Sequence, residues 1–166
     1  SLFASATVGY KSFLYVDLTA RNDWSSTLPE EERSYFYPSA TASFVFSELV
    51  DLKVLSFGKI RAGWSQVGND TDPYNTENVY VNSQPFNNSG SSTVGNELLN
   101  ANLRPEKISS FEIGTDLRFF VDRVRVDLTY YNSVTEDLLF GVAQSSATGY
   151  SRRFTNAGKV KNTGIE

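Results

Sequence analysis

The sequence predicts an all-β chain, an antiparallel, up-and-down segment of transmembrane β-barrel wall, from three observations. The first is period-two alternation with charge in mid-strand. It is clearest from Arg123 to Asn132, where Val124, Val126, Leu128 and Tyr130 share one face and Arg125, Asp127, Thr129 and Tyr131 the other. The second is length. The segments run to about 9–12 residues, enough for a tilted membrane-crossing strand and longer than the roughly 5–6 of ordinary sheets. The third is that connections alternate short and long, so every long loop falls at one end of the sheet. Alternation by itself fits a soluble sandwich equally well. The loop asymmetry favours the barrel.

Six strands follow in order. Leu2–Tyr10 sets Leu2, Ala4, Ala6 and Val8 against Phe3, Ser5 and Thr7. A tight turn near Lys11 leads to Ser12–Arg21, where Leu14, Val16, Leu18 and Ala20 oppose Tyr15, Asp17, Thr19 and Arg21. The polar stretch from Asn22 to Tyr35 reads as a long loop. The third strand, Phe36–Ser47, alternates Ala40, Ala42, Phe44 and Phe46 with Ser39, Thr41 and Ser43. A short connection, Glu48 to Ser56, delivers Phe57–Val67, with Ile60, Ala62 and Trp64 against Lys59, Arg61, Gly63 and Ser65.

Gly68 to Lys107, rich in Asn, Ser, Gly and Thr, reads as the longest irregular stretch. The fifth strand, Ile108–Phe119, places Phe111, Ile113, Leu117 and Phe119 opposite Glu112, Gly114, Asp116 and Arg118. A turn at Val121-Asp122-Arg123 opens the sixth. Ser133–Lys161 reads mostly as loop, and a seventh strand is expected from about Asn162. Both ends of the sequence read as lying within strands.

Composition narrows the function. The 166 residues hold 15 Lys and Arg against 19 Asp and Glu, with no His, Cys or Met. A net charge of −4 lacks the basic stripe of a nucleic-acid surface. Without His or Cys the chain has no material for serine–histidine, cysteine or HExxH chemistry, nor for a disulfide framework. Two carboxylate pairs, Glu112 with Asp116 and Asp17 with Asp127, offer acid–base geometry. The many Arg and Lys residues among them point instead to ion pairing, so no catalytic residue is expected. No run of about 18 apolar residues marks a membrane helix. The 12 Phe and 9 Tyr suit interfacial girdles, and Phe44, Phe46, Trp64, Phe111, Phe119 and Tyr130 are expected on the lipid side.

Several segments resemble one family. They are Lys59-Ile60-Arg61-Ala62-Gly63-Trp64-Ser65-Gln66-Val67-Gly68-Asn69; Asn102-Leu103 with Glu106, then Phe111-Glu112-Ile113-Gly114-Thr115-Asp116; Asp127 to Asn132 with Thr135 to Leu139; and Thr148-Gly149-Tyr150 with Asn156-Ala157-Gly158-Lys159-Val160-Lys161-Asn162-Thr163-Gly164-Ile165-Glu166. Arg21-Asn22-Asp23 with Ser25-Ser26 is a weaker match. In order and spacing they are similar to the SusC/RagA-like TonB-dependent transporters of Bacteroidetes outer membranes. Ala101 and Pro105 depart from the proline and tryptophan usual there.

The resemblance implies that residues 1–166 are a partial barrel domain of about six to seven strands, from a barrel of about 22 strands. It would lack the plug, the TonB-contacting segment and the final strand. It implies import of bulky nutrients, glycans or peptides, with a SusD-like lipoprotein lid, TonB acting through the missing N-terminal part, and no cofactor.

Site expectations follow from that orientation. Asp17, Arg21, Lys59, Arg61, Glu112, Asp116, Arg118, Arg125 and Asp127 are expected to face the lumen, mostly paired with one another or with plug residues. The loop aromatics Trp24, Tyr35, Tyr37, Tyr74, Tyr80 and Phe86 are candidates for contact with ligand or lid. Asn69, Asp70 and Asp72 gather oxygen ligands at a loop mouth, a calcium candidate that matches no complete calcium loop. Two rival architectures are a soluble carbohydrate-binding β-sandwich and a complete eight-stranded barrel with strands hidden in the long loops.

Overall fold

The computed structural model describes residues 1–50, 53–87 and 89–166, except the side chain of Phe86. Its strands are β1 (Leu2–Tyr10), β2 (Leu14–Trp24), β3 (Ser34–Val45), β4 (Leu55–Asn69), β5 (Tyr80–Phe86), β6 (Ser89–Val94), β7 (Glu97–Leu98), β8 (Glu106–Phe119), β9 (Val124–Glu136), β10 (Leu139–Ala143), β11 (Arg152–Asn156) and β12 (Lys159–Ile165). Seven of them form one antiparallel sheet in the order β1-β2-β3-β4-β8-β9-β12. β10-β11-β7 and β5-β6 make two small sheets inside the long connections. Among the described residues β1 and β12 do not pair with each other, so the sheet is an open arc and not a closed eight-stranded barrel.

The cross-strand register separates two faces. The row Leu18, Ala40, Trp64, Phe111 and Asn132 runs across one face, and Asp17, Thr41, Gly63, Glu112 and Tyr131 run across the other. Directly opposed residues share a face, so all nine charged residues expected inside do lie together on the polar face. The apolar face is uncovered: Leu18, Ile60, Ile113 and Leu128 are each 43–51% exposed. No second sheet packs on it among the described residues, which removes the sandwich. Total exposed area makes the same point. A water-soluble protein of 18.5 kDa exposes about 8,200 Å², whereas this chain exposes 11630 Å².

Short and long connections segregate as expected. At one end lie the turn 11–13, the connection 46–54 (of which residues 51 and 52 are outside the described set) and the turn 120–123. Lys11 and Ser12 both have positive φ, 46° and 59°, at the centre of a tight turn closed by the Phe13 N–H to Tyr10 carbonyl bond at 3.2 Å. Phe120, Val121 and Asp122 are also left-handed, an unfavourable state for a β-branched valine. Two hydrogen bonds hold that turn, Phe120 N–H to the Val54 carbonyl at 3.0 Å and Val121 N–H to Ser56 Oγ at 2.8 Å.

Three expectations are corrected. The stretch Gly68–Lys107 is not wholly irregular: β4 runs on to Asn69, β8 begins at Glu106, and β5, β6 and β7 lie between. Likewise Ser133–Lys161 is not mostly loop, because β9 extends to Glu136, β10 and β11 form a hairpin, and β12 starts at Lys159. Phe46 is not a strand residue. β3 ends at Val45, and a single 3-10 turn, Phe46–Glu48, swings the ring over Gly58, where any Cβ would collide with it.

Candidate functional site

The polar face holds its charges by pairing across strands. Arg61 on β4 reaches over β8 to β9, donating through Nη2 to Asp127 Oδ1 at 2.9 Å and to Thr129 Oγ1 at 2.7 Å. Only glycine permits this path. A Cβ at Gly114, directly opposite, would sit 2.9 Å from both Arg61 Nε and Thr129 Oγ1. Asp116, the most buried charge among the described residues, accepts from Arg125 Nη2 at 3.1 Å and lies 3.7 Å from Arg118 Nε. The Arg118 guanidinium stacks on Phe57, 4.9 Å from the ring centroid.

Asp17 accepts from the hydroxyls of Thr7 and Thr41 on the two flanking strands, and Arg21 pairs with Asp23 at 2.9 Å. Lys59 and Glu112 are in no ion pair among the described residues, and both line a shallow depression with Thr41, Ser43 and Arg61. Neither carboxylate pair named from the sequence stands apart as an acid–base couple. Asp116 and Asp127 are engaged by arginines, and Asp17 by threonines.

The loop side is built differently. Leu103 and Leu28, the most buried hydrophobic residues described, sit in connections and not in strands. Polar side chains tie those connections together. Asp70 Oδ2 accepts from Ser25 Oγ at 2.6 Å and Thr27 Oγ1 at 3.2 Å. Asn69 Nδ2 donates to Glu106 Oε2 at 3.1 Å, and Glu106 Oε1 accepts the Leu139 N–H at 2.8 Å. Asn156 donates to the carbonyls of Arg104 and Asp137, both at 2.8 Å, and accepts the Arg104 N–H at 2.9 Å. Asn78 bridges to β7 by donating to the Glu97 carbonyl and accepting the Leu99 N–H.

The calcium candidates do not converge. Asn69 turns to Glu106, Asp70 to the two hydroxyls, and Asp72 is exposed. Among the described residues no three acidic side chains gather at one point.

Of the six loop aromatics, only Tyr74 lies in a connection. Trp24 closes β2, Tyr35 and Tyr37 are in β3, and Tyr80 and Phe86 are in β5, with the Phe86 side chain outside the described residues. Tyr35 and Tyr37 pack edge-to-face at 5.1 Å over Gly68, where a Cβ would come 2.8 Å from the Tyr37 ring. Tyr74 and Tyr80 are largely exposed. Pro73, Tyr74, Glu77 and Val79 face Ser26 and Thr27 across a cleft of about 450 Å³.

The sequence named Glu106 and Asn156 only as parts of motifs and gave Asn69 and Asp70 a different task, as calcium candidates. Its readable signal was their place, an Asn, Asp or Glu at or beside a strand end on the long-loop side.

Comparison with known proteins resolves what this two-faced sheet is. The family model described as "TonB dependent receptor-like, beta-barrel" matches residues 1–166. The chain belongs to the TonB-dependent receptor β-barrel family. It is a segment of outer-membrane barrel wall of SusC/RagA-like type. It is 31% identical to the TonB-dependent receptor P26 of Formosa agariphila, over all of this chain and 17% of that protein. It is also 31% identical to the TonB-dependent receptor SusC of Bacteroides thetaiotaomicron, over 89% of this chain and 16% of that one. The chain thus spans about a sixth of the length of the curated relatives it matches. Its fold overlays the RagAB peptide importer in its closed-closed state with a TM-score of 0.90 at 24% identity, covering 98% of this chain and 18% of that one.

Proposed function

We propose that this chain supplies wall and external mouth to an outer-membrane importer energised through TonB, carrying bulky nutrients, glycans or peptides, under a SusD-like lipoprotein lid. The observation that carries this reading is the 31% identity to SusC along 89% of the chain. The two-faced sheet supports it. Charges confined to one face suit a water-filled or plugged lumen, and an uncovered apolar face suits lipid. Asp17, Arg21, Lys59, Arg61, Glu112, Asp116, Arg118, Arg125 and Asp127 then line the lumen. Most of them serve as cross-strand ties, while Lys59 and Glu112 remain available to a plug or a passing solute.

Residues 1–166 are one part of the barrel domain in this reading. The plug, the TonB-contacting segment and the strands that pair with β1 and β12 belong to the longer polypeptide, because an open sheet edge is not tolerated in hydrocarbon. The chain's part in import is binding and passage, without bond chemistry. Trp24, Tyr74 and Tyr80 at the loop side are the residues we assign to ligand or lid contact.

The test is extraction of the intact protein from outer membranes in detergent, followed by mass spectrometry. The expected result is a heat-modifiable species several times the 18.5 kDa of this chain, co-purifying with a lipoprotein. A water-soluble species of about this chain's own mass overturns the reading.

A further inference from the structure

The loop-side hydrogen bonds form a continuous series, and that continuity has a mechanical meaning. Ser25 and Thr27 in the β2–β3 connection bind Asp70. Its neighbour Asn69 binds Glu106 at the start of β8, and Glu106 binds the backbone where β10 begins. Arg104, two residues before Glu106, is held through both backbone groups by Asn156, which also holds Asp137 between β9 and β10. Each link is joined to the next by one or two covalent residues. Leu103, fully buried, lies within the same span of chain.

We infer that Asp70, Glu106 and Asn156 are positioning residues that lock the long connections of this wall segment into one unit, which shifts or opens as a whole. A loop held only to itself frays independently of its neighbours. One held through shared partners opens only when those partners release. These side chains touch no proposed ligand position. They act by fixing where the cleft walls at Ser26–Thr27 and Pro73–Val79 stand relative to β10 and β11. That the unit forms an import mouth rests on the reading above; that it moves as one does not.

The experiment is hydrogen exchange on the purified full-length protein, comparing wild type with Asn156→Ala and Asp70→Ala. Among the described residues no hydrogen bond or ion pair joins Asn156 to residues 25–33 or Asp70 to residues 104–106, while Arg104 Nε lies 3.7 Å from Glu32 Oε1. Asn156→Ala, which removes three hydrogen bonds, is expected to accelerate exchange about tenfold at Arg104 and also at 25–33, with β8 beyond Glu106 and β9 unchanged. Asp70→Ala is expected to loosen Arg104 and 137–139 in return. The double variant should cost no more than the larger single one, the mark of a shared unit. If each variant loosens only the segment it touches, or the two effects add, the unit does not exist. If Asn156→Ala fails to assemble, Asp70→Ala answers the same question from the other end. Because exchange needs no substrate, its result is separate from the lipoprotein co-purification that tests the importer reading.

Discussion

The two ends of each strand solve opposite problems. Across its middle the sheet gathers its apolar side chains on one face and its charges on the other, and almost nothing hydrophobic is buried among the described residues. Beyond the strands, on the loop side, the arrangement reverts to that of a soluble protein: Leu28 and Leu103 are enclosed, and Asn, Asp and Glu side chains satisfy backbone groups. The difference follows from the solvent. In hydrocarbon an exposed leucine costs nothing and an unpaired backbone group costs several kcal/mol, so hydrogen-bonded strands suffice. In water the same leucine must be covered, so the connections need a small core of their own.

The sharpest way to break this comparison is at the buried leucine. Leu103→Ala should destabilise the loop layer by about 2–5 kcal/mol. Hydrogen exchange should speed in the 99–105 connection while strand amides in β8 and β9 stay protected. A uniform loss across the sheet would mean the loop core also supports the wall.

The matching change in the wall is Leu128→Arg, near the centre of the apolar face opposite Thr115. A charge at mid-membrane costs about 2–4 kcal/mol on a barrel's lipid face. Refolding of the full-length protein into lipid vesicles under urea should report that loss. A change close to zero would mean that Leu128 does not meet lipid.

The smallest effect is expected on the polar face. Arg61 and Asp127 are both part-exposed, so Arg61→Ala should cost about 0.2–1 kcal/mol, less at high salt. The same vesicle titration at two ionic strengths checks it. A loss several times larger would show that the lumen excludes water at Arg61.

Much of the wall was legible in the sequence, because a period-two pattern has only one extended geometry and a single register slip would exchange its faces. That is why the nine charged residues were read onto a single face, as the register has them, and why the turns at Lys11 and Asp122 were found. Legibility failed where alternation stopped. β2 runs three residues past Arg21, through Asn22, Asp23 and Trp24, and β9 four past Asn132. Their outer ends lie against partner strands that continue, so the ladder persists without a hydrophobic signal. The hairpin of β10 and β11 went unread for the same reason.

By itself the sequence determined the strand class, the division into two faces, the alternation of short and long connections and the family, since all of these are properties of local pattern and order. Only the tertiary structure decided which side chains meet. Arg61 finds Asp127 across 66 positions of sequence, Asn156 finds Arg104 across 52, and Asp70 binds hydroxyls instead of gathering with Asn69 and Asp72 around an ion. Such pairings depend on register, on glycine gaps such as Gly114, and on loops brought together at one end of a sheet. None of these is written in the neighbourhood of the residues concerned.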